Sequence, residues 1–259
     1  MSASAASHAL TLCKEMEFEN YITHYFEREL GPFLSICDLD EAETLSIIER
    51  EKDAKTGFNR YSYGKDFFDY RKVADDLLIE CYERKFGKKP ERRPYFAALG
   101  DADVVGGLYR DPYKIRIPLD YFSDSAVTFM CPDHFPLVRM SGRDVVRYFG
   151  HPLPEDYTEE RYPYYGKLLT MDELRAQNEE LKIDKYLEKK RRSNCWYRYV
   201  EAHVWADPEA MRERFADWIE VDPEPWSGQN VSLLQNYKKI RQCEALQVTS
   251  ASAREGPRR

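Results

Sequence analysis

The sequence predicts an α+β fold: a single domain in which a mixed, largely antiparallel sheet is flanked by helices. Three observations carry this. Strand-like segments at residues 94–100, 113–119 and 126–131 follow one another with no room for crossover helices, which disfavours a doubly wound parallel sheet. Amphipathic patterns of helical period stand before and after them. The chain of 259 residues, 42% hydrophobic and 33% charged, has an ordinary globular composition and the length to bury a large core.

Taken in order, residues 1–10 are small and polar and are expected to be disordered, with the domain spanning residues 11–243. Leu12, Met16, Tyr21, Ile22, Tyr25, Phe26 and Leu30 recur at helical spacing until Gly31-Pro32, which predicts a helix over 12–30. Residues 33–37 then read as a short buried strand. Asp40 with Glu43 resembles a capping pair for a helix through about Lys52. After a tyrosine-containing loop at 57–64, the apolar positions Phe67, Phe68, Val73, Leu77, Leu78, Cys81, Tyr82 and Phe86 mark a long helix ending at Gly87. Its charges, among them Arg71 and Asp75, read most simply as a solvated face. Pro118 puts the end of the 113–119 strand at a sheet edge. Pro132-Asp133-His134-Phe135-Pro136 is a turn or loop leaving a strand end, and 151–166, rich in Pro and Tyr, is an insertion or lid. Thr170-Met171-Asp172-Glu173 is a capping box opening a helix that runs, with a break, to Arg192. Residues 199–205 form a strand, and Asp207-Pro208-Glu209 starts a helix over 208–218. A further helix is expected near 231–243, and residues 244–259 as a disordered tail.

The net charge of −7 argues against extended contact with nucleic-acid phosphates or an anionic membrane. Two basic runs, at 85–93 and 185–192, read as solvated surface. Six cysteines, at 13, 37, 81, 131, 195 and 243, are too dispersed for a C-x-x-C knuckle or a disulfide scaffold, so they are expected to be reduced thiols. No apolar run approaches the roughly 20 residues that span a bilayer, and the start lacks a charged n-region followed by an apolar h-region. A cytoplasmic protein is the resulting expectation. The aromatic content, 19 Tyr and 13 Phe, points to packing.

The signatures G-x-x-x-x-G-K-[ST], G-x-G-x-x-G, G-x-S-x-G and H-E-x-x-H are all missing. The best site candidate is the 199–205 strand. Its period-two alternation puts Val200, Ala202 and Val204 on one side, and Tyr199, Glu201, His203 and Trp205 on the other. A carboxylate and an imidazole one pleat apart, framed by aromatic rings, are costly to bury without a purpose. The bland alternative pairs Glu201 with Arg198 or Arg116 and leaves His203 quietly hydrogen-bonded. In one functional reading Glu201 is a general base or ribose-hydroxyl binder, with His203 beside it and aromatic rings as a wall for a planar ligand. In another, Glu201, His203 and the loop carrying Asp133 and His134 supply mixed ligands to a metal.

Three segments, Arg93-Pro94-Tyr95-Phe96-Ala97-Ala98-Leu99-Gly100, Val127-Thr128-Phe129-Met130-Cys131-Pro132-Asp133 and Tyr199-Val200-Glu201-Ala202-His203-Val204-Trp205, together resemble a scattered group of uncharacterised bacterial and fungal proteins. That group carries no function across. A fainter similarity is to ADP-ribosyltransferases, whose mixed sheet binds NAD and whose late-strand glutamate holds a ribose hydroxyl. That similarity implies Glu201 as the catalytic residue, with Thr128 on the middle strand and Tyr95 or Tyr199 against the nicotinamide of an NAD cofactor; the reading of the 199–205 strand adds His203 as a catalytic residue and Trp205 to the wall that binds the cofactor. Tyr199 stands where that family has Gln or Glu, and the Ser-Thr-Ser of its middle strand is absent. The expectation is therefore an enzyme acting on a small-molecule or nucleotide ligand through Glu201. The alternatives are a non-catalytic accessory module that uses the aromatic face to hold a protein partner, and a metal-assisted hydrolase.

Overall fold

The computed structural model describes residues 18–53, 59–143, 157–192 and 199–221. The helix expected near 231–243, both terminal tails and residues 151–156 of the expected insertion lie outside them. One six-stranded sheet organises the fold. It comprises β1 (Tyr21–Glu27), β2 (Tyr95–Leu99), β3 (Pro112–Pro118), β4 (Val127–Met130), β5 (Glu201–Val204) and β6 (Glu220–Val221), in the order β4-β5-β2-β1-β3-β6. Every pairing between these strands is antiparallel. The α+β architecture with a largely antiparallel sheet is as the sequence predicts.

Around its central strands the sheet is covered on both faces, while β6 is exposed. On one, Ile22, Tyr95, Ala97, Ile115, Phe129, Ala202 and Val204 pack with Leu174, Leu181, Leu187, Met211 and Phe215. These last five come from α5 (Met171–Ala176), α6 (Asn178–Leu181), α7 (Ile183–Arg192), the segment after α8 and α8 itself (Pro208–Arg214). On the other face lies α2 (Lys65–Phe86), whose Phe67, Tyr70, Ala74, Leu77, Leu78 and Cys81 pack with Met130, Trp205 and the Leu137 and Val138 of α4 (Pro136–Met140). Each large apolar side chain so buried contributes about 1.5–3 kcal/mol, which makes α2 the element that clamps this face.

Local signals set the helix ends. Asp40 caps α1 (Glu41–Glu51) by accepting from Glu43 N at 2.7 Å, and Thr170 and Glu173 form the reciprocal capping box of α5. Gly87, at φ 69°, closes α2 in the left-handed conformation that a side chain would strain. Asp207 caps α8, which ends at Arg214 ahead of a short turn of 3₁₀ helix over Ala216–Trp218.

Three expectations are corrected. Residues 21–27 form a strand rather than the end of a helix, and β1 runs the full length of β3, from Tyr21 opposite Pro118 to Glu27 opposite Pro112. Residues 33–37 are a turn, not a strand. Phe33 enters it at φ 57°, a left-handed conformation that is uncommon for a side chain of that size. The polar face of α2 is not uniformly solvated either, because Asp75 is fully buried. Short α3 (Asp103–Gly106) carries the chain from β2 towards β3.

Candidate functional site

Next to Thr23, which pairs with Ala98, β1 and β2 part. The His24 ring takes over there: its Nδ1 donates to the Phe96 carbonyl at 2.8 Å, and its Nε2 accepts from Phe33 N–H at 2.9 Å. With both nitrogens so engaged, His24 is the neutral Nδ1–H tautomer. Burial lowers its pKa to about 4, against the favourable bond to Phe96. The parted strands border a cavity of about 130 Å³, lined by residues of both strands and by Arg60, Tyr61, Arg71, Tyr109, Tyr199 and Glu201.

Glu201 reaches this cavity from β5, where it lies in register with Ala98 of β2 and Met130 of β4. The chain beyond β4 folds back onto it. Glu201 N donates to the Pro132 carbonyl at 2.9 Å, and Asp133 Oδ1 accepts from Phe135 N at 3.1 Å to tighten the turn. That turn presents His134, whose backbone N–H and ring Nδ1 both lie against Glu201 Oε1, at 3.1 and 2.6 Å. His203, two residues along β5, brings Nε2 to the same oxygen at 3.0 Å. Oε1 thus takes three N–H donors, whereas Oε2 accepts no hydrogen bond from any of the described residues.

The outer side of each imidazole is also held. His134 Nε2 lies 3.1 Å from Asp75 Oδ1, which also accepts from Arg71 Nε, one helical turn away on α2, at 2.7 Å. His203 Nδ1 lies 3.2 Å from Thr128 Oγ1, and that hydroxyl accepts from Trp205 Nε1 at 2.9 Å. The chain of contacts runs Arg71, Asp75, His134, Glu201, His203, Thr128, Trp205, and only Glu201 and Arg71 of these seven line the cavity.

Burial alone would neutralise these groups, and their mutual contacts decide otherwise. His134 is pushed up to about 9, because the Glu201 charge and the bonds to Asp75 and Glu201 outweigh desolvation. For Glu201, burial is outweighed by the charge and hydrogen bonds of His134 and by the bond from His203, which hold its carboxyl well below the usual range. Asp75 is lowered too, with Arg71 and His134 prevailing over its burial. His203, with burial the largest influence, is lowered and stays neutral. At neutral pH the set carries two cations, Arg71 and His134, against two anions, Asp75 and Glu201. Asp75 Oδ2 is buried without a hydrogen-bond partner among the described residues. The Cys37 thiol nearby, pushed up to about 12 by burial and then by the Asp75 charge, stays protonated.

The structure gathers Glu201, His203, Thr128, Tyr199 and Trp205 on one face of the sheet. Tyr199 donates from its hydroxyl to Asp133 Oδ2 at 3.2 Å and lines the cavity. Two expected placements are corrected. Tyr95 pairs with Val204, so it lies on the opposite face, in the core with Phe33 and His24. Trp205 packs on Tyr82, ring centroids 4.4 Å apart, and offers no open stacking wall. Arg116 does not pair with Glu201 either; it binds Asp101 and Glu220, and Arg198 lies outside the described residues. Sequence reasoning missed Arg60, Arg71 and Asp75 as neighbours of the site. The one available signal was Arg71 and Asp75 at i,i+4, on the same helix face as Phe67, Leu78 and Tyr82.

Nothing matches the chain in comparisons with protein-family models, curated proteins and solved structures. Among the described residues no helix is long and apolar enough to cross a membrane.

Proposed function

We propose that the protein is an enzyme in which Glu201 is a fixed negative charge at the wall of the cavity, stabilising positive charge that develops on a bound small molecule or anchoring a hydroxyl of it. The observation that carries this is the division of labour within one carboxylate: Oε1 saturated by three N–H groups, Oε2 left for the ligand. A carboxyl held so far below its usual pKa is a weak proton acceptor. Its strength is a charge that needs no reorganisation as the transition state forms. The size of the chamber favours a ligand smaller than NAD, or the end group of a larger one, since an engineered cavity of about 150 Å³ holds one benzene. The test is to incubate the protein with a metabolite extract and follow every compound by mass spectrometry. A compound consumed by the wild type should be consumed about 10²–10³-fold more slowly by Glu201→Gln, by analogy with the loss of one preorganised electrostatic contact. Equal consumption by both would remove Glu201 from the reaction. Loss of an NAD signal with release of nicotinamide would restore the ribosyl-transfer reading.

A second reading, a metal-assisted hydrolase, rests on a separate observation. His134, Glu201 and His203 each bring one ligand atom, all within 4.8 Å of one another. Two imidazoles and a carboxylate form a common zinc ligand set. Asp75 and Thr128, at the far nitrogens, stand where partners that orient metal-bound histidines stand. Equilibrium dialysis against zinc should then load one ion per chain, and His203→Ala should abolish loading. Full activity in metal-free protein would sink this reading.

A further inference from the structure

We infer that the cavity recognises an oxyanion, a carboxylate or phosphate group on the small molecule, through Arg60; this rests on the reading of Glu201 as a charge facing the same chamber. Arg60 lies in the cavity wall at the start of the 3₁₀ turn Arg60–Tyr63. Its guanidinium is held between two aromatic rings, 4.8 Å from the centroid of Tyr61 and 4.8 Å from that of Tyr109. Nη2 donates to Tyr61 Oη at 3.1 Å, and the Tyr109 hydroxyl is a second neutral partner, so the plane is fixed by stacking and by uncharged hydrogen-bond partners. No carboxylate among the described residues lies within ion-pairing distance of it.

The other charged groups of the wall are held by partners. Arg71 is bound to Asp75 and Glu201 to His134. Glu27 accepts from the backbone N–H groups of Arg110 and Asp111, at 2.8 and 3.0 Å. Of the two arginines in the wall, Arg60 is the one with no carboxylate within ion-pairing distance among the described residues, and its charge cannot be discharged by deprotonation. A guanidinium offers a planar fork that fits carboxylate or phosphate oxygens. Stacking on Tyr61 and Tyr109 restricts the side chain before a ligand arrives, so less is lost on binding. Arg60 and Glu201 thus bracket a ligand that is anionic at one end and meets a carboxylate oxygen at the other.

Thermal unfolding and calorimetric titration with acetate, benzoate and inorganic phosphate, with benzyl alcohol as the neutral control, test this. Benzoate or phosphate should raise the melting temperature of the wild type, and benzyl alcohol should not. Arg60→Gln should weaken anion binding at least tenfold, and Arg60→Lys, which keeps the charge and loses the fork, should fall between. Glu201→Gln, which takes a negative charge out of the chamber, should bind the anions at least as tightly as the wild type. Anion affinity equal in the wild type and Arg60→Gln, benzyl alcohol binding as tightly as benzoate, or no anion binding at all would overturn the assignment. Those outcomes leave the Glu201 reading standing, because that reading is decided by turnover in Glu201→Gln; loss of that reading, with anion binding still dependent on Arg60, would leave an anion-binding module.

Discussion

At the scale of single residues, the site is governed by which protons a buried carboxylate can attract. His134 sits between Asp75 and Glu201, and the two carboxylates together hold it as an imidazolium in a place where burial alone would strip its proton. Asp75 is the pivot: it is fully buried and binds Arg71 and His134 through one oxygen. Asp75→Asn would leave a buried guanidinium and a buried imidazolium with one carboxylate, Glu201, to share. Breaking a buried pair from one side costs about 3–5 kcal/mol. We expect a fall of that order in the unfolding free energy of Asp75→Asn, read as a lower urea midpoint with an unchanged m-value, and a His134 titration below its wild-type position near 9 by NMR. An unaltered midpoint would show that Asp75 stabilises neither Arg71 nor His134 in the folded protein. The residues of this network were only half legible in the sequence. Glu201 and His203 stood out because a strand of period two puts both on one face, whereas Asp75 looked like one more charge on an exposed helix face.

At the scale of elements, legibility followed from whether a signal was local. Capping is local, and Asp40, Thr170, Asp207 and Gly87 end their helices where the sequence places those ends. The strands β2, β3, β4 and β5 were visible from short apolar or alternating runs. β1 was not, and the reason is physical: after Tyr21, every residue through Glu27 is buried, so no alternation survives to mark a strand. The remaining cue was composition, since Tyr-Ile-Thr-His-Tyr-Phe is rich in aromatic and β-branched residues that suit a pleated surface. Misreading β1 as a helix hid the site's shape. His24 cannot be seen to prise β2 from β1, nor the cavity to open there, while residue 24 is assigned to a helix. The 3₁₀ turn that carries Arg60 was equally invisible, because its position depends on Tyr109, distant in sequence, against which the guanidinium stacks.

At the scale of the whole molecule, the buried histidines make stability a dome in pH with two separable arms. His134 has its folded pKa raised from 6.5 to about 9. Its contribution is therefore complete below 6.5 and is lost as pH rises through about 9, as the unfolded chain gives up the proton that the folded protein retains. His24 is lowered from 6.5 to about 4 and His203 is lowered as well. Their contributions are complete above 6.5 and are lost as pH falls, because the unfolded chain binds protons that the folded core excludes. Glu201, lowered, and Cys37, raised from 9.0 to about 12, extend the two arms outward, the first below the unfolded carboxyl range and the second above pH 9. At about 1.36 kcal/mol per pKa unit, the His134 and His24 displacements each correspond to something on the order of 3 kcal/mol. Urea unfolding from pH 4 to 10 should thus give a maximum near pH 6.5 and a decline on both sides. His134→Gln should lower the maximum and flatten the limb between pH 6.5 and 9, while leaving the decline above pH 9 that belongs to the buried thiols of Cys37 and Cys81, both raised by burial. A wild-type free energy that stays level from pH 6.5 to 9 would mean that His134 holds no extra proton, and with it the paired charges that leave Glu201 ionised beside the cavity would have to be redrawn.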